Sequence, residues 1–248
     1  MSTIPRVLVP DRILSPGDSF VPDSTVVHHL RDVLRLRAGD AVVAVDAAGV
    51  SRVGTIEAWR GRDLRVVVGG PVAPAREGGR AMPIVLVAAL LKGDRSELAV
   101  QKATEAGVAA IHVAVCERSV ARPADADLPR REERLRRVAS EAARQCGRPD
   151  VPGVRVHPDL ATAVAACPDL PRFLLDVRPG ARSLAALSAD AHGAVLAVGP
   201  EGSFTDDEVA SLEAAGFAPA ALGPRVLRAE TAAIAAVIVV QAVAGDMR

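Results

Sequence analysis

The chain has 248 residues, half of them hydrophobic, with 30 basic and 30 acidic side chains. That apolar share excludes a disordered chain, and a net charge of zero excludes a globally basic nucleic-acid binder, so any RNA surface must be a local basic patch. Cys116, Cys146 and Cys167 stand far apart without metal-ligand spacing, which argues against a metal centre and a disulfide framework and fits a reducing cytoplasm.

The first seventy or so residues read as short strands: "RVLVP", "DAVVAVDAAG", "SRVGTIEAWR" and "RDLRVVVGG", each bounded by Gly or Asp. Regular short strands with turn signals predict a small β-barrel. One helix interrupts them, "STVVHHLRDVLRL", with Ser24 as its N-cap and Val27, Leu30, Val33 and Leu34 on one face. This first domain is expected over residues 1–73, with a Gly- and Pro-rich linker at 74–81. The N-terminus has no apolar core of the kind a signal peptide carries.

From residue 82 the pattern changes. "IVLVAALL" is an unalternated apolar run, as in a strand buried on both faces. "DRSELAVQKATEAG" reads as a helix stopped by Gly107, and "IHVAVCE" as a strand. "RREERLRRVASEAARQCG" reads as a helix with Leu135, Val138, Ala142 and Cys146 inward. "RFLLDV", "GAVLAV" and "APAAL" are further strands. Strands alternating with helices predict an α/β domain over 82–248 with a mostly parallel sheet, whose ligands bind at the carboxyl ends of the strands. The apolar stretch from Ala232 is short for a membrane span and is broken by Gln241, so it reads as a buried helix, and no membrane is expected.

Two loops fall where such a sheet keeps its ligand: "GPEGS" (Gly199 to Ser203) and "LGPRVLRAET" (Leu222 to Thr231). The first resembles a phosphate loop in layout but carries Glu201, Asp206, Asp207 and Glu208. Thr205 and Glu208 form a T-x-x-E capping box, and acids suit the first turn of a helix, which accounts for all of these but Glu201. An acidic, glycine-lined loop disfavours a pyrophosphate and suits a neutral or cationic ligand, and no dinucleotide or P-loop fingerprint exists in the chain. No Ser or Cys nucleophile has a recognisable base partner, so hydrolase chemistry finds no support.

"GPEGSFTDDE" followed by "LGPRVLRAETA" resembles the paired C-terminal signature of the RsmE family, ribosomal RNA methyltransferases of the SPOUT superfamily that methylate N3 of a uridine in 16S rRNA. "HHLRDVLRLRAGD", "KGDRSELAVQKATEAGV", "ERSV" and "EAARQCGRPDVP" resemble further family blocks in the family's order, so the likeness spans nearly the whole chain. It implies an N-terminal PUA-like barrel, a C-terminal domain with a deep trefoil knot, S-adenosylmethionine as cofactor, a homodimer, the small ribosomal subunit as partner, and no metal. The acidic loop suits that cofactor, which carries a sulfonium and no phosphate. Two positions depart from the pattern: Ser203 stands where a second glycine is common, and Ala229 where a threonine is usual.

The reaction needs an unstacked uracil, removal of its weakly acidic N3 proton, and stabilisation of the charge that develops. The resemblance gives Arg228 the uracil oxygen and Glu201 the proton or the substrate's orientation. It gives the cofactor Leu175, Gly199, Pro200, Glu201, Gly202, Leu222, Gly223, Val226, Leu227 and Thr231. RNA contacts are expected from Arg6, Arg31, Arg35, Lys92, Gln145 and Arg148, which fall in the family-like blocks. Two rival readings stay open: a SPOUT enzyme acting on another RNA such as tRNA, and a non-catalytic ribosome-assembly factor that binds RNA.

Overall fold

A computed structural model describes residues 4–9, 11–48, 50–60, 63–71, 82–148, 150–176, 178 and 180–247. The expected linker at 74–81 lies outside the described residues. By its contacts the chain divides into two units, residues 1–77 with 144–150, and residues 78–143 with 151–248.

The first unit holds β1 (Arg6–Leu8), β2 (Ser19–Phe20), α1 (Ser24–His28), β3 (Ala41–Val45), β4 (Ser51–Arg60) and β5 (Asp63–Pro71). They form one sheet in the order β1-β3-β4-β5-β2, antiparallel except for the β1–β3 pair. Its core gathers Leu14, Phe20, Val27, Leu30, Val42, Ile56, Leu64 and Val66. The helix differs from expectation at both ends. Asp23, not Ser24, is the N-cap, because its carboxylate accepts the N–H groups of Thr25 and Val26 at 2.9 and 3.0 Å. After His28 the chain widens into a π-helical turn, His29–Val33. That extra residue per turn rotates the face, so Val27 and Leu30 stay buried while Val33 and Leu34 point outward at 59% and 41% exposure. Arg35 ends the turn with a left-handed backbone, φ 55°.

The second unit holds β6 (Ile84–Ala89), α2 (Arg95–Glu105), β7 (Ala110–Ala114), α3 (Leu128–Cys146, whose last residues count with the first unit), β8 (Gly153–His157) and α4 (Leu160–Ala165). It continues with β9 (Arg172–Leu175), β10 (Arg182–Ser183), α5 (Leu184–Ser188), β11 (Ala194–Val198), α6 (Asp206–Ala214), β12 (Phe217–Ala221) and α7 (Ala229–Val243). The sheet order is β10-β12-β9-β11-β6-β7-β8, and every neighbouring pair is parallel. Both faces are covered, which is why "IVLVAALL" does not alternate. Ile84, Leu86 and Ala88 pack with α2, α3, α5 and α7, while Val85, Val87 and Ala89 pack with α4 and α6. On α3 the buried face runs through Leu135, Ala139, Ala142 and Ala143; Val138 is only partly buried and Cys146 is exposed, so the inner face is rotated from the expected one.

Gln241, the polar break in the apolar stretch, is buried at 3% exposure and works as a fastener. Its side chain donates to the Gly107 carbonyl at 3.2 Å and accepts the Asp246 N–H at 3.2 Å, tying the chain's end to the turn after α2. Among the described residues no helix is long and apolar enough to cross a membrane.

A pair of buried histidines joins β7 to the edge strand β8, with His112 Nδ1 2.9 Å from His157 Nε2. Burial lowers the pKa of both rings, and the charges of His157 and Arg155 add to this for His112; Glu132 and Asp159 oppose it at His157. A depressed histidine pKa favours the neutral form in the fold. Its stabilising share is therefore complete above the unfolded value of about 6.5 and is lost as pH falls below it. Urea unfolding between pH 7.5 and 5.5 is expected to show stability falling with acid in the native protein, with a shallower slope in the His112→Gln/His157→Gln variant. Equal slopes would mean the pair carries no linkage.

Candidate active site

The carboxyl ends of β9, β11 and β12 open on one cleft of about 610 Å³, within the roughly 300–1,000 Å³ usual for small-molecule sites. Its walls are Leu174, Leu175 and Asp176 from β9 and the turn after it, Val198 to Glu201 with Ser203 and Phe204 after β11, and Leu222 to Arg228 (Pro224 apart) after β12. Arg95 at the start of α2 and Ala229 and Ala232 of α7 complete it, with Arg178, Asp206 and Val209.

The first loop is a tight turn: the Ser203 N–H donates to the Pro200 carbonyl at 2.9 Å. Ser203 sits in the left-handed region, φ 61°, so the position where the family pattern favours glycine does require that backbone, and serine bears a modest strain there. Gly199 is packed so closely that a Cβ would stand 3.0 Å from the Phe204 nitrogen. Thr205 and Glu208 form the expected capping box at 3.2 and 2.9 Å. The other oxygen of Glu208 accepts the Glu117 N–H at 2.8 Å, and Thr205 Oγ1 donates to the Glu117 carboxylate at 3.2 Å. Arg118 donates to the Gly202 and Phe204 carbonyls at 3.2 and 3.4 Å. The "ERSV" segment after β7 thus clasps the loop after β11. Sequence reading noted that block but gave Glu117 and Arg118 no task, since a side chain bonding a backbone carbonyl some 84 residues away leaves no local pattern.

The second loop turns at Gly223, whose φ of 127° only glycine adopts readily. It carries Arg225, Val226 and Arg228, all exposed, Val226 at 80%. Four arginines line the cleft. Arg178 is paired with Asp176 and with Glu213, the latter at 3.3 Å, and Arg95 with Glu201 at 3.1 Å. Among the described residues the guanidinium groups of Arg225 and Arg228 have no ion pair or hydrogen bond. Glu230, two residues on from Arg228, lies 3.9 Å from Arg95 and is buried. Glu201 Oε1 accepts a hydrogen bond from Arg95 Nη1 at 3.1 Å.

Of the residues expected to hold a cofactor, Leu175, Gly199, Pro200, Glu201, Leu222, Gly223, Val226 and Leu227 line the cleft, as does Arg228. Gly202 does not; a Cβ there would meet Arg118 at 3.2 Å, so its smallness serves the clasp. Thr231 faces outward on α7 and also lies outside the lining. Ala229 is buried at the first turn of α7. The RNA candidates Arg6, Arg31, Arg35, Gln145 and Arg148 all fall in the first unit, and Lys92 in the second. Arg35, Lys92 and Gln145 are exposed. A Cβ on Gly147 would lie 3.4 Å from Arg6 Nε. Arg31 pairs with Asp32 at 2.9 Å, and Arg148 pairs with Asp150 at 2.7 Å with only 14% of its side chain exposed.

Comparison with known proteins agrees with this geometry. Residues 79–241 match the model of an RNA methyltransferase domain, and residues 21–68 that of an RNA methyltransferase PUA domain. Ribosomal RNA small subunit methyltransferase E of Mycobacterium bovis is 34% identical over 239 residues, covering 91% of this chain and 87% of its own. The chain belongs to the ribosomal RNA small subunit methyltransferase E family. It is an RNA methyltransferase. The family member of Bacillus subtilis is 28% identical over 83% of both chains. In solved structures, the Neisseria gonorrhoeae family member bound to S-adenosyl methionine superposes with a TM-score of 0.88 at 27% identity, over 99% of this chain and 100% of that one. A Legionella pneumophila putative methyltransferase in complex with S-adenosylmethionine superposes at 0.87 and 28% identity, over 97% and 98%.

The cleft of this family member fits such a cofactor on its own terms. Leu174, Leu222, Leu227 and Val198 offer an apolar wall for a flat ring. The turns at Gly199 and Gly223 bring backbone groups close, while Asp176 and Glu201 enter the cleft already paired with Arg178 and Arg95.

Proposed function

We propose that this protein transfers a methyl group from S-adenosylmethionine to N3 of a uridine in 16S rRNA of the small ribosomal subunit. The observation that carries the reading is the cleft itself: two glycine-turned loops and an Arg228 unpaired among the described residues, at the carboxyl ends of three parallel strands. When bound, the cofactor supplies an electrophilic methyl on a sulfonium. The chain's residues do the rest. Apolar walls and loop backbone hold and orient, so that N3 and the methyl meet in line. Glu201 would take the proton that N3 gives up on methylation, or hold the uracil in place. Arg228 donates to a uracil oxygen as negative charge develops there.

The same reading places the protein in the cytoplasm as a homodimer with a trefoil knot. The dimer is supported by an outward apolar stripe on α7, with Ile238 at 42% exposure, and by Leu98 on the neighbouring α2, also at 42%. The knot belongs to the family reading, with which the sheet order β10-β12-β9-β11-β6-β7-β8 is compatible. Arg6, Arg31, Arg35, Gln145 and Arg148 of the first unit and Lys92 of the second serve as phosphate or sugar contacts, with Arg35, Lys92 and Gln145 the exposed ones. The domain limits proposed from the sequence are 1–73 and 82–248, although by contacts residues 144–150 group with the first unit.

The test is incubation with labelled S-adenosylmethionine and small subunits from cells lacking the native enzyme, followed by digestion and nucleoside identification. Label in 3-methyluridine is expected. Label only in tRNA would overturn the substrate, and cofactor binding without label anywhere would point to an assembly factor.

A further inference from the structure

Glu230 is the second residue of α7, and its side chain is 9% exposed. Its Oε2 is fully buried and, among the described residues, has no hydrogen-bond partner. Its Oε1 lies 3.9 Å from Arg95 Nε, beyond hydrogen-bond range but within strong electrostatic reach. The α7 N-terminus offsets part of its charge. Even so, a buried carboxylate with one open oxygen costs the fold more than a neutral group of the same shape would. The fold therefore has no need of this charge, and an orphaned buried oxygen calls for another explanation.

The neighbour supplies one. Arg95 offers Nη1 to Glu201 at 3.1 Å and Nε to Glu230, so one guanidinium spans two carboxylates, one at the cleft wall and one behind it. Arg95 stands at the start of α2, Glu201 in the loop after β11, and Glu230 at the start of α7. Three elements thus meet in a row of negative, positive and negative charge. The row sums to one negative charge, beside a cleft that also holds Arg178, Arg225 and Arg228. Only a fork with separate donor edges can serve both ends; a lysine presents a single point.

We propose that Arg95 is a positioning residue for methyl transfer: it fixes the Glu201 carboxylate in the cleft, and the buried carboxylate of Glu230 fixes Arg95. This rests on the reading that the cleft holds S-adenosylmethionine and that Glu201 meets the uracil. A carboxylate on a surface turn has several rotamers, and tethering it to a rigid helix start removes most of them.

The test uses the full-length protein, small subunits and labelled S-adenosylmethionine, with cofactor affinity by calorimetry and fold by thermal unfolding. Arg95→Ala is expected to lower kcat by about tenfold to a hundredfold with the cofactor Kd within about threefold, and Arg95→Lys to recover little of it. Added guanidinium ion at low millimolar concentration should restore part of the Arg95→Ala rate. Glu230→Gln keeps the shape, so its unfolding midpoint should hold or rise while kcat falls about fivefold. Because Glu230 acts through Arg95, the Arg95→Ala/Glu230→Gln pair should be no slower than Arg95→Ala alone. A wild-type kcat in either single variant overturns the inference, as does a tenfold loss of cofactor affinity at unchanged kcat, which would make Arg95 a cofactor ligand. If the wild-type protein itself forms no 3-methyluridine, the functional reading fails and takes this inference with it; a failure confined to the variants leaves that reading standing.

Discussion

Arg228→Ala is expected to lower kcat for methyl transfer by about a hundredfold to a thousandfold while leaving the S-adenosylmethionine Kd within about threefold. The argument starts from availability. Among the cleft's arginines, Arg95 and Arg178 are already engaged by carboxylates, so their charge is largely spent on the protein. Arg228 is exposed at the N-cap of α7 with its guanidinium unpaired among the described residues. Its backbone carbonyl accepts the Ala232 N–H at 2.8 Å, so the helix fixes where the side chain starts without occupying its charge. A uracil losing its N3 proton spreads negative charge onto its ring oxygens, and a preset donor there strengthens between ground state and transition state. Loss of such a donor appears in kcat rather than in affinity. Arg228→Lys should recover part of the rate, since it keeps the charge but not the fork. Arg225, equally exposed on the same loop, is the control. If Arg225→Ala costs as much as Arg228→Ala, the loop supplies a diffuse positive field rather than one aimed donor. A wild-type kcat in Arg228→Ala removes it from the reaction.

How much of this was legible in the sequence differs by element. The unalternated run Ile84 to Leu91 announced a strand covered on both faces, and β6 is indeed buried throughout, with even and odd residues in separate cores. The capping box at Thr205 and Glu208 was legible because both partners lie within one helical turn. The outer face of the first helix was not. Whether a turn takes four or five residues depends on tertiary packing, and the π turn at His29–Val33 moved Val33 and Leu34 to the surface against their periodicity. Within the site, the loops were legible through glycine and proline, and the departure at Ser203, where the family pattern favours glycine, falls on a left-handed backbone. The pairings were not. Arg95 and Glu201 are 106 residues apart, and Arg118 reaches carbonyls 84 and 86 residues away. Such contacts arise only when two strand ends are set side by side, which is information held by strand order rather than by any local window.

Gly199→Ala is expected to weaken S-adenosylmethionine binding by about tenfold to a hundredfold, with a loss of folding stability of about 1–3 kcal/mol. The reason is steric. An added Cβ would stand 3.0 Å from the Phe204 nitrogen and 3.1 and 3.3 Å from two of its ring atoms. Phe204 has little room to yield: the residue is buried in the core that packs against β11, and its carbonyl is held by Arg118. The strain must therefore pass into the turn between them, Pro200 to Ser203, which already holds one residue in a left-handed backbone. Glu201 sits at the middle of that turn, tied to Arg95, so the displacement reaches the cleft wall directly. Gly153, at the start of β8, provides the contrast. A Cβ there meets nothing within 4 Å, so Gly153→Ala should leave both affinity and stability near the wild-type values. Calorimetric titration with the cofactor, beside urea unfolding, separates the two effects. Wild-type affinity in Gly199→Ala would show that the backbone after β11 can shift without consequence, and the cofactor's hold would then have to come from the loop after β12.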